Sequence, residues 1–284
     1  MPIHRAWKRT GIVVVTFLTS FVSLELVRMI PGYIAFFRDL PEVYWWVENA
    51  IRPLLPVGVG MRVLYGPRPR AWAGAIGLDR PVIPALVLAS ILTLPLTLGP
   101  ALLGVAPNPR MGLVDEVFGA GIWPLAEEIN FRGFAFGQIY TQSGLGFWPA
   151  GVFTSVLFGI AHMANAAAAG LDLAGQWANA GIVGSSALGL AWVYHRWDRN
   201  LWLVFFLHGL GNLAAAMYMT GEVAAGDSVF TTLLAVTLVV AVCVTLMKDR
   251  WSWSARVQGE FQGSPVMAPT DAVRAGTTEE DSGR

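Results

Sequence analysis

Long runs of apolar residues alternate with short polar segments along most of the chain. Each run has roughly the 20 residues that an α-helix needs to cross a bilayer. The clearest runs cover residues 11–27, 82–105, 113–140, 147–168, 175–194, 201–219 and 230–247. The pattern predicts an all-α fold, a polytopic membrane helical bundle.

Residues 44–65 form a further apolar run with two interpretations. The run contains Glu48 and Arg52 at i,i+4 helical spacing, followed by two prolines that kink helices. The segment either crosses the membrane with an internal ion pair or lies at the interface, anchored by Trp45 and Trp46. We favour the crossing, which gives about eight transmembrane helices.

The positive charges predict the orientation of the chain. Arginine and lysine are concentrated in residues 1–10, in residues 66–80, which we interpret as a polar loop, in residues 195–200, and just after residue 247. Eight crossings put all four segments on one side, so the positive-inside rule predicts cytoplasmic termini and a multi-pass protein of the plasma membrane.

Composition gives the class of protein and a division of the chain. Of the 284 residues 55% are hydrophobic and 13% are charged, and the net charge is zero, so the chain is not a soluble domain and has no nucleic-acid footprint. We divide it into N-terminal membrane helices (1–110), a helical core with the candidate site (111–220), a last transmembrane helix (221–247) and a disordered cytoplasmic tail (248–284).

Two adjacent carboxylates and an arginine interrupt the apolar run at residues 123–133. Each ionisable group costs about 2.5–3.5 kcal/mol at the bilayer centre, so such residues mark functional sites. Glu128 and Arg132 are four residues apart and can neutralise each other on a helix. Glu127 is rotated about 100° away from Glu128. We therefore expect Glu127 to perform chemistry and the Glu128–Arg132 pair to hold it in place.

Further polar side chains are predicted within other spans. His162 lies in one span, and His208 and Asn212 lie four residues apart on one face of another. Each alone has a structural interpretation, as a histidine bonded to a backbone carbonyl or an asparagine that joins two helices. Together with the Glu-Glu-Arg cluster, they predict one shared polar site inside the bilayer.

These residues fall in three short motifs: Glu-Glu-x-x-x-Arg at Glu127–Arg132, Phe-x-x-x-His at Phe158–His162, and His-x-x-x-Asn at His208–Asn212. The order and spacing resemble those of the CAAX protease and bacteriocin-processing family of intramembrane proteases, which includes the type II CAAX prenyl endopeptidases. The resemblance covers residues 123–219. The remainder of the chain matches only in general character.

The resemblance implies hydrolysis of a peptide bond within the membrane. It implies that Glu127 is the general base, that His162 holds and polarises the attacking water, and that His208 and Asn212 stabilise the oxyanion. The Glu128–Arg132 pair then orients the helix. The implied partner is a membrane-associated protein or peptide, prenylated in the best-known relatives, although no residue here specifies a prenyl pocket.

Two histidines and a glutamate also leave a metal mechanism open, because zinc takes such ligands. The His-Glu-x-x-His arrangement of many zinc proteases is absent from the sequence, and Asn212 suits an oxyanion donor better than a metal ligand. We therefore expect a metal-free mechanism, with a divalent metal such as zinc as the alternative cofactor.

The same residues are compatible with other functions. A proton- or ion-coupled transporter would use Glu127 and the histidines as a relay and would need broken helices. A non-catalytic immunity or scaffolding member of the family is another alternative. A serine protease would have to use Ser185 or Ser186 with His208, which leaves the Glu-Glu-Arg cluster unexplained. An aspartyl protease needs two aspartates within spans, whereas the aspartates here lie mainly in loops or at span ends.

Overall fold

The computed structural model describes residues 3–28, 30–37, 40–109, 111–112, 116–218 and 225–248. In these residues the chain is all-helical, as predicted, and no strand occurs. The α-helices are α1 (Ile3–Arg28), α2 (Tyr33–Phe36), α3 (Pro41–Trp46), α4 (Arg52–Tyr65), α5 (Pro69–Ile76), α6 (Val82–Leu102), α7 (Trp123–Glu127), α8 (Gly137–Ser143), α9 (Phe147–Ala161), α10 (Met163–Ala168), α11 (Leu173–Arg196), α12 (Leu201–Tyr218) and α13 (Ala225–Met247). Three π-helical segments are continuous along the chain with neighbouring α-helices: Val47–Ile51, Val117–Ile122 and Glu128–Phe136.

Several helices have the length and composition of membrane spans. Within the described residues these are Val82–Leu102, Phe147–Ala168, Leu201–Tyr218 and Val229–Met247. The total of about eight crossings stays a prediction, as do the domain boundaries at residues 110 and 220. The predicted tail lies outside the described residues except for Lys248.

The prediction of a polar loop at residues 66–80 is wrong in part, because α5 forms within it. Proline at the start of α5 and Gly77 after its end are favourable helix boundaries. Gly77 has a φ of +81°, and a side chain there would clash with the backbone carbonyl of Arg199. The segment is therefore a short helix that packs against the chain rather than a solvated connection.

The central element is the continuous helical run of residues 117–143, which we call the motif helix. It comprises two π-helical segments, α7 and α8, and from residue 128 to 139 only Ile129 is not fully buried. Helices α1, α4, α5, α9 and α12 all pack against it. A helix that is buried on every side can hold charged residues away from both lipid and water. Residues 113–115 of the predicted span lie outside the described residues.

Helices α9 and α11 pack closely through small residues. A side chain at Gly159 would clash with the carbonyl of Ala180, and a Cβ at Gly184 would lie 3.0 Å from the carbonyl oxygen of Ser155. This crossing fixes the position of α9, which carries Phe158 and ends beside His162. Small residues allow such backbone approach in membrane proteins.

We expect Gly159→Ala to lower the free energy of unfolding by about 1–3 kcal/mol, because the added methyl group must push α9 and α11 apart. Gly181→Ala is the matched control, since no atom lies within 4 Å of a Cβ at Gly181. Thermal unfolding in one detergent compares the two variants. Equal stability of both variants would contradict the close crossing.

Candidate functional site

Glu128 and Arg132 form the ion pair that their spacing predicted. Nη1 of Arg132 donates to Oε1 of Glu128 at 2.9 Å, and the two side chains are 2% (Arg132) and 0% (Glu128) exposed. Nη2 of Arg132 donates to the carbonyl of Ala187 at 3.4 Å, and the guanidinium lies 4.6 Å from the centre of the Phe158 ring. Each charge is shielded from water and depends on these partners.

The imidazole of His208 lies between the two adjacent glutamates. Its Nδ1 is 2.8 Å from Oε1 of Glu128, and its Nε2 is 3.7 Å from Oε2 of Glu127. The next residue, Gly209, makes this possible, because a side chain there would clash with the carbonyl of Ala120 on the motif helix. The contact with Glu128 was not foreseen from the sequence, since it joins residues on two helices.

His162 lies at a break in the predicted span of residues 147–168. It ends α9 and precedes α10, with φ and ψ of −89° and −3°. Its Nδ1 lies 2.8 Å from the carbonyl oxygen of Phe158. Because a carbonyl only accepts, Nδ1 carries the proton and Nε2 is the nitrogen that remains for another ligand. The expected single helix is therefore two helices that meet at a candidate catalytic residue.

Asn212 holds α12 against the motif helix. Its Nδ2 donates to the carbonyl of Gly119 at 3.1 Å. An amide has two N–H donors, so this contact uses one of them. Asn212 therefore joins two helices, which is the structural interpretation given above for a membrane asparagine. This contact positions the helix that carries His208.

Phe158 is a site residue that sequence reasoning named only as part of a motif. Its ring centre lies 4.5 Å from the ring centre of His162, 6.2 Å from that of His208 and 4.8 Å from that of Phe131. It also lies against the Arg132 guanidinium. The spacing of four to His162 was the available signal, because it places both residues on one helical face.

Most of the predicted residues are thus brought together, while the side-chain hydrogen bond of Asn212 is with Gly119 of the motif helix. Glu127, Glu128, Arg132 and His208 are linked directly, whereas His162 reaches them through Phe158. Glu127 is 33% exposed and His208 14%, so the cluster is buried at its base and open at Glu127. The partly exposed carboxylate of Glu127 thus lies beside the imidazole of His208, whose other ring nitrogen is held by Glu128.

The residues described do not fit a zinc centre. Among them, no group of three or more His, Cys, Asp or Glu side chains could hold a metal ion. A catalytic zinc site usually has three protein ligands.

The fold and the site together define the class: a helical membrane protein with an enclosed Glu-Arg-His cluster between its helices. Residues 110–214 match the family model described as Type II CAAX prenyl endopeptidase Rce1-like. These residues are thus similar to this family, and the recognition made from the three motifs is confirmed for residues 110–214. No curated protein and no solved structure matches the chain significantly.

We expect Arg132→Met to lower the free energy of unfolding by about 3–5 kcal/mol, because Glu128 is then a buried charge without its counter-ion. The double variant Glu128→Leu/Arg132→Met should recover most of that loss, since apolar residues often replace a buried ion pair at no cost. Thermal unfolding measures both. A double variant that is less stable than Arg132→Met would contradict the coupling of the two side chains.

Proposed function

We propose that the protein is an intramembrane endopeptidase of the CAAX prenyl protease type, in which Glu127 activates the attacking water. The observation that carries the proposal is the difference between the adjacent glutamates. Glu128 is fully buried and bonded to Arg132 and His208, whereas one third of the Glu127 side chain is exposed. Glu127 is therefore the carboxylate that water and a substrate can reach.

In this mechanism Glu127 takes a proton from the water while the water oxygen attacks the carbonyl carbon of the scissile bond. His162 helps to hold that water through Nε2, since its Nδ1 is bonded to the carbonyl of Phe158. Glu127 then returns the proton to the leaving amine as the C–N bond breaks. A single carboxylate thus serves as base and then as acid.

His208 and Asn212 are the donors that we assign to the oxyanion. The second N–H of the Asn212 amide is one such donor. Nε2 of His208 becomes the other when the ring is protonated on both nitrogens, because its Nδ1 already donates to Glu128. Donors held in place in a water-poor site stabilise such a charge more than water does. The contacts of both residues with the motif helix supply that preorganisation.

The substrate is a membrane-associated protein or peptide that carries a lipid or a membrane anchor. The matched family is described by prenyl CAAX endopeptidase activity, and we extend that substrate class to this chain. A site between membrane helices suits a substrate that approaches within the bilayer. The plasma membrane and the cytoplasmic termini stay predictions from the arginine distribution.

A proton-coupled transporter is the second candidate, and the helix break at His162 favours it. Discontinuous helices beside ionisable residues are typical of transporter binding sites. Proteoliposomes with an internal pH dye separate the two functions, because a transporter moves protons without cleaving a peptide.

We expect Glu127→Gln to lower kcat by about 10²- to 10⁴-fold, because general-base catalysis is lost while the side-chain volume stays the same. The unfolding temperature should not change, since Glu127 is partly exposed. The assay uses fluorogenic peptides with and without a prenyl group in vesicles. The control is Glu116→Gln, an equal charge change at an exposed position just before the motif helix. Full activity of Glu127→Gln would remove Glu127 from the mechanism.

We also expect the activity to persist after dialysis against EDTA and 1,10-phenanthroline, because the described residues offer no zinc ligand set. Cleavage of the same peptides before and after dialysis measures this. If chelation abolishes cleavage and added zinc restores it, the metal-free mechanism is wrong and zinc is the cofactor.

A further inference from the structure

Among the residues that the structure describes, two buried Glu–Arg pairs have i,i+4 spacing, and they differ in the further partner of the glutamate. Glu48 and Arg52 are bonded at 2.6 Å, and the hydroxyl of Tyr33 donates to Glu48 at 2.6 Å. Glu128 and Arg132 have the same spacing and similar burial, but the second partner of Glu128 is His208. The first glutamate accepts from a phenol, and the second contacts an imidazole of the candidate site.

The donors and acceptors determine how the imidazole is held. An ionised carboxylate only accepts, and a guanidinium only donates. Glu128 is the anionic partner of the Arg132 guanidinium, so its oxygens can only accept hydrogen bonds. Nδ1 of His208 must therefore donate to Glu128. Nε2 is then the ring nitrogen that faces Glu127 at 3.7 Å.

The geometry of Glu128 shows that this contact shapes the pair. Its Oε1 accepts from both Arg132 and His208, whereas Oε2 is buried and has no hydrogen-bond partner among the residues that the structure describes. Neutralising Arg132 requires only the contact within the motif helix, whereas the contact of Oε1 with His208 reaches a second helix. Both donors meet at the atom that links the motif helix to α12.

We propose that Glu128 is a positioning residue for His208: held by Arg132, it fixes the imidazole so that Nε2, and not Nδ1, faces Glu127 and the reacting groups. The inference rests on the proposed function, because it assigns work to His208 in that site. An acid that orients a histidine in this way keeps it in one tautomer and one ring orientation. Without Glu128, the ring can rotate or exchange its proton between the nitrogens.

The test compares two double variants that each replace a buried pair with apolar residues, Glu128→Leu/Arg132→Met and Glu48→Leu/Arg52→Met. The chain has four histidines, so ¹⁵N NMR of histidine-labelled protein gives four imidazoles, and His208→Gln assigns the one of interest. Thermal unfolding and cleavage kinetics on the same samples give stability, kcat and KM.

We expect the first double variant to change the ¹⁵N shifts of both ring nitrogens of His208 and to lower kcat by about 10²- to 10⁴-fold with KM nearly unchanged. Adding His208→Gln to it should cause no further loss, because Glu128 acts through His208. The Glu48 variant should keep the His208 shifts and the wild-type kcat at a similar unfolding temperature. Glu128→Gln is a milder variant that preserves shape, and it should shift the same ¹⁵N signals.

Unchanged ¹⁵N shifts of His208 in both Glu128 variants would overturn the proposal. An equal loss of kcat in the two double variants would also overturn it, since both pairs would then act only through the fold. The NMR measurement needs no substrate. If the wild-type protein cleaves no peptide, the endopeptidase assignment fails, while the His208 shifts still decide whether Glu128 holds the ring.

Discussion

A charged pair that is buried among apolar helices constrains the rest of this structure. Glu128 and Arg132 are almost completely shielded from water, so the protein must supply the polar contacts that water would otherwise make. Arg132 obtains these contacts from α11, through the carbonyl of Ala187, and from the face of Phe158 on α9. Glu128 obtains one from α12 through His208. The need to satisfy two charges thus holds three helices against the motif helix.

This packing is possible because the neighbouring helices can approach closely. Gly209 lets α12 reach the motif helix, and Gly133 leaves room for Ile76 of α5, whose Cβ would lie 2.9 Å from a Cβ at that position. Gly159 does the same for α9 and α11. Where the hydrophobic effect does not drive helices together, as in lipid, such small residues supply the contact area. The polar site and the glycine crossings therefore depend on each other.

The two adjacent glutamates differ in exposure and in partners although they lie on one helix. Residues next to each other on a helix face different directions, so one carboxylate can be committed to the interior while the other is accessible. Glu128 holds Arg132 and His208, and Glu127 lies at the open side of the same imidazole. Residues 110–214, which match the prenyl endopeptidase family model, include both glutamates and His208.

The sequence by itself determined the features that depend on near neighbours. Apolar runs of bilayer length identified the long apolar helices α6, α12 and α13, and i,i+4 spacing identified the Glu128–Arg132 pair, because both follow from helix geometry alone. The tertiary structure decided the contact of His208 with Glu128, which joins residues 80 positions apart, and the ring of Phe158 between Arg132 and both histidines. It also decided the break at His162 and the short helix α5. These features depend on how helices pack, and no local pattern of residues specifies which side chains then meet.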